Sequence, residues 1–349
     1  MTSPDAAARL TSGGRPVLPS LTSWRAVAAF AVFLFHLDLF GLLTVPGASV
    51  GYLGVTFFFV LSGFVLTWGS RPGATPADFF VHRVARVYPA HLAALLLVLG
   101  GKLAQGSVAL GPDVVLPNLL LVQAWWPQDL VAYGLNGVSW SLSCEMFFYA
   151  AFPFLVPVLA RWRPAVAVAV SAALVVVPVV IAAVAPDTEG YLYHLPAARL
   201  GEFLLGVSAA LALGRIGSSR LLSRTWSTVA VVVAALVVAL ADATAVPAAA
   251  LVCLPCAYLV TSFAHADAAG RSGFLGHGLL LRAGEVSFAF YLVHQTAILV
   301  VARLPVAPLL AAAGALVLST ALALALHHGV EVPARRAVLA TWRRRYARG

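Results

Sequence analysis

PAVAVAVSAALVVVPVVIAAVA, residues 164–185, contains no ionisable side chain over a length that a helix rising 1.5 Å per residue turns into about 30 Å. That is the thickness of a bilayer's hydrocarbon core, so the stretch is expected to cross a membrane. Its flanks give a direction. Arg161 and Arg163 precede it and Asp187 and Glu189 follow it, and Lys and Arg concentrate in cytoplasmic loops.

Working outward, similar apolar stretches fall at 21–42, 50–69, 87–105, 138–160, 194–214, 226–242, 246–264, 285–303 and 306–328, which makes ten spans in all. An eleventh apolar piece, Val114 to Trp126, is short and broken by Pro117, and is expected to be re-entrant or interfacial. Cations fall in alternate connections: Arg9, Arg15 and Arg25; Arg71, Arg83 and Arg86; Arg161 and Arg163; Arg215, Arg220 and Arg224; Arg271 and Arg282; and the tail from Arg335 to Arg348. The opposite loops carry Asp113, Asp129, Asp187, Glu189 and Asp242, with Lys102 and Arg303 nearby. Both termini are therefore expected in the cytoplasm. The expected fold is an all-α polytopic integral membrane helix bundle, with a disordered cytoplasmic N-terminus over 1–20, a transmembrane domain over 21–337 and a basic cytoplasmic tail over 338–349.

Composition agrees. Of 349 residues, 61% are hydrophobic and 10% charged, against about 25% charged in soluble domains. The net charge of +9 is accounted for by membrane topology, so no nucleic-acid partner is expected. Cys144, Cys253 and Cys256 lie in apolar runs and are read as packing residues. No cleavable signal, internal repeat or appended soluble domain is expected, and no His pattern supports a metal site.

Ionisable groups in hydrocarbon cost about 2.5–3.5 kcal/mol each on insertion scales, so each asks for a partner, a wet cavity or a function. Arg25 and His36, eleven residues apart, share a helix face with about 16 Å of rise between them. Glu145 follows Ser139, Trp140, Ser141 and Ser143 and is expected in the outer half, as a partner for His36. Arg199 and Glu202, at i and i+3, can neutralise each other. Tyr291, His294 and Gln295 fall at mid-depth in the ninth span, level with His36; His294 is either a second functional imidazole or a donor to a nearby carbonyl. His82, His91, His327 and His328 read as interfacial. An imidazole takes a proton from a hydroxyl near neutral pH, and a carboxylate fixes its tautomer. Arg83 and Arg86, in a loop from Arg71 to Pro89, suit a phosphate-rich ligand as well as an ordinary basic loop.

The motifs together resemble the membrane acyltransferase 3 family, the bacterial O-acetylase-like integral membrane acyltransferases. LTSWRAVAAFAVFLFH (21–36) is similar to its opening Arg-x10-His pattern, GYLGVTFFFVLSGFVLT (51–67) to its second helix, and FFVHRVARVYPAH (79–91) to its RxxR segment. SWSLSCEMFFYAAFPFL (139–155), ARLGEFLLG (198–206), SFAFYLVHQTAIL (287–299) and EVPARR (331–336) resemble its later motifs, in order. Thr56 stands where the second helix commonly carries an acid, and so has no acid role.

The resemblance implies an O-acyltransferase of the bacterial cell membrane. It would move an acyl group from acetyl-CoA or another acyl-CoA to a hydroxyl of a carbohydrate, lipid-linked glycan or natural product, without a metal. His36 and Glu145 would be catalytic, Arg25, Arg83 and Arg86 would bind the donor, and Trp140, Ser141, Arg199, Tyr291 and His294 would meet substrate. A channel is expected from the arginines to His36. His36 would act as general base, and the sequence fits a transient acyl-imidazole on His36 equally well. A secondary transporter or a non-catalytic assembly subunit fits the same spans and charges, but the absent inverted repeat and the paired arginines disfavour a transporter.

Overall fold

The computed structural model describes residues 10–11, 13–71, 73–104, 111–216 and 221–346. Arg9, Arg220 and Arg348 of the loops above lie outside the described residues. The described chain is a polytopic helix bundle. Among these residues ten segments are long and apolar enough to cross a membrane, so the expected number of spans is met. They are built from α1 (Pro19–Leu39), α2 (Gly54–Trp68), α3 (Pro76–Ala104), α6 (Trp140–Arg161), α7 (Pro164–Val184), α9 (Pro196–Ile216), α10 (Arg224–Ala241), α11 (Ala245–Ala268), α12 (Gly278–Val301) and α13 (Pro308–Leu326). The short helices α4 (Pro112–Leu119), α5 (Asp129–Tyr133) and α8 (Glu189–His194) lie between spans, and α14 (Val332–Tyr346) follows α13 through a π-helical turn at His327–Glu331.

The third span starts eleven residues earlier than expected, at Pro76 rather than residue 87, and this corrects the reading of Arg71–Pro89 as a loop. Thr75 and Asp78 explain the start. The Thr75 hydroxyl accepts from the Asp78 backbone N–H at 3.1 Å and donates to the Asp78 carboxylate at 2.8 Å, with Pro76 between them as the first helical residue. That is a capping arrangement. Hydropathy missed the turns that follow because His82, Arg83 and Arg86 are polar, yet all three are only partly exposed. Within the stretch expected to be disordered, Leu18 and Ser20 are buried, and the Pro16 carbonyl accepts from the Trp68 indole at 2.9 Å.

Membrane helices gain little from excluding lipid, so close packing needs small residues. Gly63 of α2 faces Phe203 of α9, and Gly206 of α9 faces Val60 of α2; at both glycines a methyl would run into the opposite backbone carbonyl. Gly63→Val is therefore expected to cost about 1–3 kcal/mol or more by overpacking. The check is a lower unfolding temperature in detergent; an unchanged midpoint would contradict the close approach.

The start of α1, which carries Arg25 and His36, is fixed from α11. Asp267 accepts from the Ser20 backbone N–H at 2.9 Å and from its hydroxyl at 2.6 Å, satisfying groups that a helix N-terminus leaves unpaired. Ser23 donates to the Leu275 carbonyl at 2.5 Å. The segment 112–139 packs over the start of α6: Asn118, Gln123 and Ser139 are fully buried. Asn118 donates to the Val114 and Val131 carbonyls, and Gln123 to the Ser139 carbonyl. The α6 helix thus begins inside the protein. Cys144, Cys253 and Cys256 are buried among apolar neighbours, as expected of packing residues.

Candidate active site

Among the described residues, two adjoining cavities of the bundle are both lined by Val55 and Tyr291. The smaller, about 140 Å³, is lined by Arg25 of α1, Arg83 and Arg86 of α3, and Ser141, Glu145 and Tyr149 of α6. The larger, about 490 Å³, is lined by His36 and Phe35 of α1 with Tyr52, Trp140, Tyr193 and Gln295. The expected arrangement was one channel; in its place two cavities adjoin at Val55 and Tyr291. The Tyr291 hydroxyl explains the division, because it is held 2.9 Å from the Ser141 hydroxyl and donates to the Val138 carbonyl at 3.1 Å.

His36 has a defined tautomer. Its Nδ1 lies 2.8 Å from the Val32 carbonyl, which can only accept, so Nδ1 carries the proton. His294 Nδ1 donates in the same way to the Tyr291 carbonyl at 2.8 Å, leaving His294 Nε2 as a lone pair 3.2 Å from His36 Nδ1. The rings are nearly perpendicular, with centroids 4.8 Å apart. Among the described residues, His36 Nε2 has no hydrogen-bond partner. The polarity is that of a base held by a second group: a free nitrogen toward the cavity, and a protonated one backed by an acceptor.

The residue backing His36 is His294, fully buried, rather than Glu145. Glu145 instead shares the smaller cavity with three arginines and accepts from Tyr149 at 2.9 Å. The depth count misjudged it because α6 starts below the covering segment 112–139, so five residues from Trp140 already reach the arginine chamber. Three guanidiniums against one carboxylate leave an excess of positive charge facing that chamber. Arg86 also lies 3.8 Å from the buried Glu331 of the π turn, which in turn accepts from His327 at 2.9 Å. Glu331 was legible only as part of the terminal EVPARR resemblance.

Trp140 lines the larger cavity, Ser141 the smaller and Tyr291 both. Arg199 lines neither. It sits 2.7 Å from Glu202, donates to the Tyr193 carbonyl and the Thr56 hydroxyl, and lies 4.9–5.8 Å from the centroids of Tyr193, Phe59 and Trp140. It therefore braces the aromatic wall from behind and is not itself among the lining residues. Thr56, where an acid is common, accepts from that guanidinium. Tyr52, Tyr193, Tyr149 and Gln295 were not singled out as site residues; their signal was tertiary, apart from the adjacency of Gln295 to His294. Among the described residues no group of three or more His, Cys, Asp or Glu side chains is placed to hold a metal.

Residues 18–328 match the model of a family described as an acyltransferase domain. The chain is similar to acyltransferase MdmB of Streptomyces mycarofaciens, 36% identical over 79% of this chain and 78% of MdmB. It is also similar to peptidoglycan O-acetyltransferase OatA of Listeria monocytogenes, 27% identical over 44% of this chain and 26% of OatA, and to exopolysaccharide production protein ExoZ of Rhizobium meliloti, 32% identical over 38% and 43%. The aligned part thus spans most of MdmB but only about a quarter of OatA. No solved structure matches the chain.

Proposed function

The chain belongs to the acyltransferase family whose domain covers its residues 18–328, and from that premise we propose that it is an acyl-CoA-dependent O-acyltransferase using His36 as base. The observation that carries this reading is the division of labour across one wall: arginines without enough counter-charge on one side, an oriented imidazole on the other. The donor's phosphates rest on Arg83, Arg86 and Arg25, where planar guanidiniums suit phosphate oxygens. Its acyl-thioester end passes Tyr291 to reach His36. Glu145 lines the same chamber as the three guanidiniums and so belongs to the donor side.

In the reaction, His36 Nε2 takes the proton of an acceptor hydroxyl and that oxygen attacks the thioester carbonyl carbon. The C–O bond forms, the C–S bond breaks, and the departing thiolate recovers the proton from His36 as free CoA thiol. His294 Nε2 accepts from Nδ1–H and so stabilises the imidazolium while it exists. Acetyl is the preferred acyl group, as in the names of the OatA relatives. The acceptor is a glycan, a lipid-linked sugar or a natural product, in keeping with the peptidoglycan and exopolysaccharide named for relatives. The arginine-rich end faces the cytoplasm of a bacterial cell, with both termini on that side, which is also where CoA esters are made.

Purified full-length protein, acetyl-CoA and a panel of hydroxyl-bearing acceptors test this by release of free thiol. Turnover above the no-protein control is expected. Replacing Arg83 and Arg86 together by Gln is expected to raise the KM for acetyl-CoA roughly 10-fold to 100-fold per lost charge-assisted contact, at about 1.5–3 kcal/mol each. A thioester left intact with every acceptor would overturn the proposal in favour of transport.

A further inference from the structure

The last span continues into a helix that the bilayer core does not accommodate. The 19 residues of α13 already rise about 28 Å, close to the full hydrocarbon thickness, so α14 stands beyond it. Two contacts fix how α14 lies. The Trp342 indole donates to the Asp78 carboxylate at 2.7 Å, and Glu331 lies 3.8 Å from Arg86. Positions rise along α14 as they fall along α3, so the two helices run antiparallel at the end where α3 begins. The π turn at His327–Glu331 inserts a residue and rotates α14 by about 100° relative to a continuous α-helix.

Arg335 follows Glu331 by one turn and precedes Trp342 by two, so all three share the face turned toward α3. It is partly exposed, and the antiparallel register brings it opposite Arg83, on the Asp78 side of Arg86. Its charge is within electrostatic reach of Arg83, Arg86 and Glu331. Among the described residues Arg335 forms no ion pair, and Glu331 is already shared between Arg86 and His327. Three guanidiniums thus meet around one carboxylate, with a mutual repulsion that a bound anion would relieve.

Arg335 does not line the arginine chamber; it stands about one turn farther out, toward the start of α3. A CoA thioester that leads with its acyl end trails its nucleotide. Behind the diphosphate comes the ribose 3′-phosphate, a monoester that carries about two negative charges near neutral pH, as a phosphorylated side chain does. Planar guanidiniums suit such a group.

We propose that Arg335 binds the 3′-phosphate of the donor's ribose, so that α14 gives the site a preference for CoA over its dephospho form. The assignment rests on the acyl-CoA reading above and adds to it a residue outside the chamber.

Calorimetry on the full-length protein with CoA and with dephospho-CoA tests this without turnover. CoA is expected to bind roughly tenfold to a hundredfold more tightly, the range for one charge-assisted contact. Arg335→Gln is expected to abolish that preference by weakening CoA alone, and Arg335→Lys to keep part of it. Arg336→Gln removes the same charge from the adjacent, exposed position and is expected to leave the preference intact. Equal affinities in the parent protein, a comparison that needs no variant to fold, would overturn the assignment and leave Arg335 to lipid headgroup phosphates. A preference that survives Arg335→Gln, or that Arg336→Gln lowers as much, would overturn it as well. If neither nucleotide binds and the thioester of acetyl-CoA stays intact, the acyl-CoA reading fails and this inference fails with it.

Discussion

His36→Ala is expected to lower kcat by about three orders of magnitude, within the range that positioned general bases supply, while acetyl-CoA still binds. The separation follows from the two chambers: the arginines that hold phosphate line one, and His36 lines the other. His36 hydrogen-bonds to the Val32 carbonyl of its own helix and to His294, so its removal leaves the α1 backbone unaltered and one nitrogen of His294 without its partner. His294→Phe should fall between the parent and His36→Ala, because it leaves the base and its Val32 contact in place but removes the second acceptor near Nδ1. Turnover by free-thiol release and donor affinity by calorimetry check both variants. Equal kcat in parent and His36→Ala would end the general-base assignment, and loss of donor binding would mean that the chambers are not independent.

The second large effect concerns stability. Arg199 and Glu202 are both almost wholly buried, 3% and 4% exposed, and pair at 2.7 Å. Glu202→Ala leaves a buried guanidinium without counter-charge, which costs about 3–5 kcal/mol, a large part of the roughly 5–15 kcal/mol that holds a typical protein folded. Collapse of yield and of the unfolding midpoint in detergent is expected. Arg199→Met with Glu202→Leu removes the charges together and should recover much of the loss, because apolar replacement of a whole buried pair is often near neutral. If the recovered double variant also regains transfer, Arg199 is a brace for the Tyr193 and Trp140 wall. If it folds and stays inactive, the substrate role first expected for Arg199 returns.

The number of spans was legible because hydrocarbon demands long apolar helices, and α7 shows this with no ambiguity. The beginning of α3 was not, since His82, Arg83 and Arg86 depress hydropathy, although TPAD at 75–78 carried a capping signal that could have moved the boundary. Arg25, Arg83 and Arg86 were recognisable individually, and they converge on one cavity because α1 and α3 pack their basic ends around it. Glu145 was misplaced because depth counted from a helix end assumes that the end is at the membrane surface, whereas segment 112–139 covers it. The pairing of His36 with His294 was suggested by equal depth but depends on how α1 packs against α12, where a methyl on Gly284 would strike the Thr22 carbonyl. Tyr52, Tyr193 and Gln295 come together only in three dimensions, which no spacing along one helix reveals.

In the proposed reaction a donor held by the arginines delivers its acyl end past Tyr291 to His36. A structure of the full-length protein with a non-reactive thioether analogue of acetyl-CoA tests it most directly. The diphosphate is expected against Arg83 and Arg86, Tyr291 displaced from Ser141, and the carbonyl carbon in the larger chamber, where an acceptor oxygen bound to His36 Nε2 would lie roughly 3–3.5 Å away, a near-attack distance. An analogue whose acyl end remains on the arginine side with the Tyr291–Ser141 contact intact, or whose diphosphate binds elsewhere, would contradict it.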